Sequence, residues 1–94
     1  MLLAKVIGNV VATRKNDYLR GHKLLLIRTI GLDLEYNSKN DVIAIDLIGA
    51  GIGDTVLITQ EGDAVAQVLG HRNAPVHSLI VAIVDEVSVT IPHD

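Results

Sequence analysis

The chain has 94 residues, 49% of them apolar, no cysteine, and a net charge of −3 from 8 basic and 11 acidic side chains. That length fits one domain spanning residues 1–94, and the missing cysteine excludes disulfides and thiolate metal sites. No apolar run approaches the ~20 residues of a membrane helix, so no membrane partner is expected. The start, Met1-Leu2-Leu3-Ala4-Lys5-Val6, has neither the basic lead nor the small-residue cleavage site of a signal peptide. Tyr18 and Tyr36 are the only aromatic residues. With the basic residues scattered and the balance acidic, nucleic acid is not expected as a partner. So short a chain with positive mean hydropathy points to apolar surface covered by further copies of itself.

In chain order, residues 2–13 read as a first strand, with Val6, Val10 and Ala12 on one face and Ile7 and Val11 on the other. Gly8-Asn9 inside it predicts a bulge or bend. Residues 14–21 are polar and turn-rich, a surface loop. Residues 22–30 (HKLLLIRTI) form a second strand, and 31–41 a long polar hairpin connection with its tip at 37–41. Residues 42–48 and 55–59 are strands three and four. Asp63 is placed to cap a short helix over 64–69, closed by Gly70. Residues 78–84 (SLIVAIV) are a further strand, and 87–91 a possible last one stopped by Pro92. The pattern predicts a mainly β fold: a small five-stranded barrel with one short α-helix, resembling the oligonucleotide/oligosaccharide-binding (OB) type.

Between strands three and four stands Gly49-Ala50-Gly51-Ile52-Gly53-Asp54. It superficially resembles a dinucleotide fingerprint, but that motif needs a helix after the glycines so that the helix terminus faces the pyrophosphate. Here Thr55-Val56-Leu57-Ile58-Thr59 follows, a strand, so the stretch is a backbone-bending turn and no cofactor is expected. His22, His71, His77 and His93 match no compact zinc pattern, so no metal is expected either. Asp46 sits inside an apolar strand, where a carboxylate needs a partner. It is read as hydrogen-bonding amides of the 49–53 turn or pairing with a basic group across an interface. Nothing around it completes a nucleophile–base pair, so no catalytic residue is assigned and no enzyme is expected. Asp85-Glu86 is either solvated or faces Lys5, Arg14 or Lys15 of a neighbouring copy.

Several blocks, taken together, resemble a known family: Gly8-Asn9-Val10-Val11-Ala12-Thr13-Arg14-Lys15; Leu19-x-Gly21-x-Lys23-Leu24-Leu25; Val42-x-Ala44-Ile45-Asp46-x-Ile48-Gly49-Ala50-Gly51-x-Gly53-Asp54-x-Val56-Leu57; Ala74-Pro75-Val76; and Ile80-Val81-Ala82-Ile83-Val84-Asp85-x-Val87. The chain is similar to the EutN/CcmL family, vertex proteins of bacterial microcompartments such as carboxysomes and metabolosomes. The resemblance implies a homopentamer, without catalytic activity, that caps the five-fold vertices of an icosahedral shell in the bacterial cytoplasm. Its partners would be copies of itself and the hexameric or trimeric shell proteins. Thr13, Arg14, Asp46, Gly49, Ala50, Gly51, Gly53, Asp54 and Asp85 are the residues expected at subunit contacts or in the turn that shapes them. Bulk at Gly51 is expected to break the turn or the ring. Where many members carry Gly-Ser-Ser-Ala-Arg, this chain has Gln60-Glu61-Gly62-Asp63-Ala64-Val65-Ala66-Gln67. The competing reading is a small OB-like barrel that binds an oligonucleotide or carbohydrate, which would need aromatic or basic residues alternating along strands two and three.

Overall fold

Five short runs rich in Val, Ile and Leu become strands: β1 (Leu2–Asn9), β2 (Lys23–Ile30), β3 (Val42–Asp46), β4 (Thr55–Thr59) and β5 (Ser78–Ile83). The computed structural model describes residues 1–11, 21–61, 65, 67 and 76–88. The strands close into a barrel in the order β1-β2-β3-β5-β4, with β4 returning to β1. Every pairing is antiparallel except β3 with β5. Among the described residues closure leaves no strand without neighbours on both sides, although β3 and β5 pair over only three residues each.

Two register shifts bend the sheet. Val6 faces Ile27 but Gly8 faces Leu26, so Ile7 is an extra residue, a bulge at the position the Gly8-Asn9 pair predicts. On the other side Leu57 faces Ala82 and Ile58 faces Ile80, which leaves Val81 extra.

Alternation along the strands makes two cores. Ala4, Val6, Leu25, Ile27, Ala44, Val56, Ile58 and Ile80 point inward and fill the barrel, all at most 1% exposed. Several are alanines because so narrow an interior has room for few large side chains. Leu24, Ile45 and Leu79 point outward from neighbouring positions and pack with Val65 and Val76 in a second cluster. β2 and β3 are therefore covered on both faces, which explains why they read as continuous apolar runs rather than as alternation. Val65 reaches this cluster from a helical turn, its N–H donating to the Glu61 carbonyl at 3.1 Å. Of the expected helix over 64–69, Val65 and Gln67 are helical and the remainder lies outside the described residues.

Strand ends differ from the sequence reading in instructive places. β3 stops at Asp46, not at residue 48, because the Asp46 carboxylate Oδ1 accepts the Ile48 N–H at 3.0 Å and turns the chain aside. β1 ends at Asn9, although the Val10 N–H still donates to the Leu24 carbonyl; the part of the expected first strand over 12–13 lies outside the described residues. Val87 and Ser88 are not in a strand, and residues 89–91 lie outside the described set.

The 31–41 connection turns nearer its start than its composition suggested. Gly31 and Glu35 close a tight loop in which Leu34 takes φ 66°, and Tyr36 bridges back to Ile30. Arg28 fastens the return: it donates to Asp41 Oδ1 at 2.7 Å and lies over the Tyr36 ring at 5.2 Å. The hydrogen bond to Asp41 holds the guanidinium pKa above its ordinary value.

Candidate functional site

At one end of the barrel the sequence-predicted residues come together. The C-terminal ends of β1, β3 and β5 and the N-terminal ends of β2 and β4 meet there, since β1 runs against β2 and β4, and β5 against β4. Asp46 shares the inward face of β3 with Val42 and Ala44, so its side chain enters the barrel mouth, where it is fully buried. Lys23 stands opposite it in the β2–β3 register and shares the inward face of Leu25 and Ile27. Its Nζ lies 3.4 Å from Asp46 Oδ2 and donates to the Ala50 carbonyl at 2.7 Å. Among the described residues Asp46 Oδ2 accepts no hydrogen bond, so the Lys23 charge is what compensates it.

The 49–54 turn closes over this pair. Ala50 is fully buried and its methyl belongs to the interior core, a stopper in the mouth. Asp54 Oδ2 accepts the Gly51 N–H at 2.8 Å, and the Asp54 N–H returns to the Gly51 carbonyl at 3.0 Å. The Gly53 N–H donates to the Val6 carbonyl, and the Val6 N–H to the Asp54 carbonyl, both at 2.9 Å. Gly49 and Gly53 take φ 83° and 93°, where any Cβ is strained.

This geometry corrects two readings. Asp54, rather than Asp46, holds an amide of the glycine turn, while Asp46 takes the Ile48 amide and pairs with a lysine of its own chain. Within the chain, Gly51 is not the position where the turn demands glycine: a Cβ there would meet only Asp54 Oδ2 at 3.9 Å, an ordinary contact. Lys23 was missed. Its signal was its place on the period-two face of Leu25 and Ile27, opposite a strand ending in Asp46.

The chemistry open to the turn is narrow. The Gly51 and Gly53 amides are spent on Asp54 and Val6, so they do not converge on an anion. What the barrel end does present is apolar surface: Val11 is 93% exposed and Ile52 63%, with Leu47 and Ile48 also exposed nearby in sequence. Asp85 is exposed just past β5, in a shallow cleft with Leu34, Thr55, Glu86 and Val87. Thr13 and Arg14 lie outside the described residues, as do His71 and His93. His22 precedes β2, and exposed His77 precedes β5 beside Gln60 and Asp41.

Comparison with known proteins places this geometry. A family model described as "Ethanolamine utilisation protein EutN/carboxysome" matches residues 1–85. The carboxysome shell vertex protein CcmL of Nostoc sp. is 42% identical over 89 residues, covering 95% of this chain and 87% of that protein. The bacterial microcompartment shell vertex protein PduN of Salmonella typhimurium is 38% identical over 91 residues, covering 94% and 99%. Among solved structures, the GrpN pentameric microcompartment shell protein from Rhodospirillum rubrum superposes with TM-score 0.80 at 32% identity, covering 96% of this chain and all of that one. An ethanolamine utilization protein, EutN, gives 0.81 at 35% identity, covering 95% and 91%. A closed barrel stoppered by a glycine turn, matched along nearly its whole length, belongs to the EutN/CcmL family.

Proposed function

We propose that this chain is a structural shell protein, five copies of which form a ring capping the five-fold vertices of a bacterial microcompartment. The observation that carries this reading is the near full-length similarity to shell vertex proteins. The physical character of the barrel supports it. The interior is filled by its own side chains, the turn amides are spent, and large apolar side chains remain exposed on a small chain. The ring sits in the shell inside the bacterial cytoplasm and meets hexameric or trimeric shell proteins at its rim. It has no catalytic role and needs no cofactor. Residues 1–94 act as one domain, with Asp46, Gly49, Ala50, Gly51, Gly53 and Asp54 shaping a contact surface and Thr13, Arg14 and Asp85 contributing to subunit contacts. A binding role for the barrel wall has less support: β2 and β3 carry no aromatic residue, and the Tyr36 ring, outside both strands, already has the Arg28 guanidinium over one face.

Native mass spectrometry of the purified chain tests the reading. A species of five times the chain mass is expected, and a protein that stays monomeric across micromolar concentrations overturns it. In vesicle-like shells assembled with hexameric shell proteins, omission of this chain is expected to leave the five-fold positions open.

A further inference from the structure

A ring built from one kind of contact needs two different surfaces on each copy, one to the left and one to the right. The barrel offers such a pair. Over β1 and β2 lies a groove walled by Val10, Val11 and Ile52, with Asn9 and Lys23 also lining it. No acid lines it among the described residues. Lys23 is half exposed, and its ammonium has three donors, of which one goes to the Ala50 carbonyl and one faces Asp46. Among the described residues the third has no acceptor, and a carboxylate entering the groove would supply one.

Beyond β5 the chain leaves Ile83 as an exposed segment that lines a cleft with Leu34 and Thr55. Ile83, Asp85 and Glu86 are exposed, and neither acid forms an ion pair among the described residues. Glu86 only receives the Ser88 hydroxyl at 3.5 Å. A groove with apolar walls and a lysine is complementary in charge to an exposed segment with Ile83 and two carboxylates.

We propose that the Val11/Ile52/Lys23 groove of one copy receives the exposed 83–87 segment of the next, with a carboxylate of Asp85 or Glu86 meeting the Lys23 ammonium. This rests on the ring reading above and names the surfaces that make the ring.

The test is a set of charge changes read by native mass spectrometry, with carbodiimide cross-linking of rings assembled from mixed ¹⁴N- and ¹⁵N-labelled chains. Ile52→Glu puts a carboxylate on the groove wall and is expected to weaken the ring at least about tenfold at fixed protomer concentration. Leu32→Glu, an equally exposed apolar site outside the groove and the 83–87 segment, is expected to leave the ring intact. Cross-links between Lys23 of one label and Asp85 or Glu86 of the other are expected in the wild type. Rings of Ile52→Glu as tight as wild type, or Lys23 cross-links confined to one label, overturn the proposal while the ring itself stands. A wild-type chain that forms no ring overturns the functional reading instead. Circular dichroism checks that Ile52→Glu keeps its strands. If it does not, Glu86→Arg, exposed and outside every strand, carries the same expectation and the same overturning result.

Discussion

Lys23 and Asp46 face each other across the last rung of the β2–β3 ladder, with Nζ 3.4 Å from a carboxylate oxygen that accepts no other described partner. The pair is asymmetric, since the carboxylate is fully buried and the lysine half in water. Removing the cation strands a buried charge; removing the charge on the acid strands nothing. Lys23→Met is therefore expected to cost about 1–3 kcal/mol, below the figure for breaking a fully buried pair because the lysine is half solvated. Asp46→Asn, which keeps an acceptor for the Ile48 amide, is expected to cost less than about 1 kcal/mol. The double variant should be more stable than Lys23→Met alone. Urea unfolding at one fixed protomer concentration checks all three, since association contributes to apparent stability. A purely additive cycle would remove the coupling.

The glycines of the turn separate by backbone angle. Gly49→Ala and Gly53→Ala, at φ 83° and 93°, are each expected to destabilise by about 1–2 kcal/mol. Gly51→Ala meets an ordinary contact and is expected to change the unfolding free energy by less than about 0.5 kcal/mol. Equal losses at all three positions in thermal melts would contradict the assignment.

Asp54 is the strut of the same turn. Asp54→Ala leaves the Gly51 amide without its acceptor and is expected to cost about 1–2 kcal/mol. Hydrogen exchange at Gly51 should quicken in this variant while the amides of β2 keep their protection, a contrast readable by NMR.

Leu34 carries a β-carbon into the left-handed region at φ 66° while more than half exposed. Asn tolerates that conformation better, so Leu34→Asn is expected to stabilise the isolated chain by about 0.5–1 kcal/mol in chemical denaturation. A loss of stability would mean that the leucine's contacts in the cleft with Val84 and Val87 outweigh the strain.

The barrel was legible because each strand is a short aliphatic run bounded by turn residues, and Thr55–Thr59 matches the reading to the residue. The bulge was legible too, since Gly8 marked it. Strand ends set by side chains were not. Asp46 ends β3 through a bond to the Ile48 amide, an event that leaves no trace in hydrophobic periodicity. The site was half legible. The glycine turn and Asp46 stood out locally, whereas Lys23 acquires its role only from a register that pairs residues 23 apart in the chain. Likewise, Asp46 and Asp54 are equally plausible holders of the turn until geometry shows which carboxylate the Gly51 amide faces.

The stopper at the barrel mouth draws its supports from distant parts of the chain: the Val6 backbone in β1, Lys23 in β2 and Asp46 in β3. Val6 bonds the turn next to where β1 pairs with β4, so a chain with β1 undocked lacks part of the framework that shapes the surface beside Ile52. Under the groove contact proposed above, subunit addition would select copies with β1 docked, and fidelity of the assembly would be set within each copy, before any two of them meet.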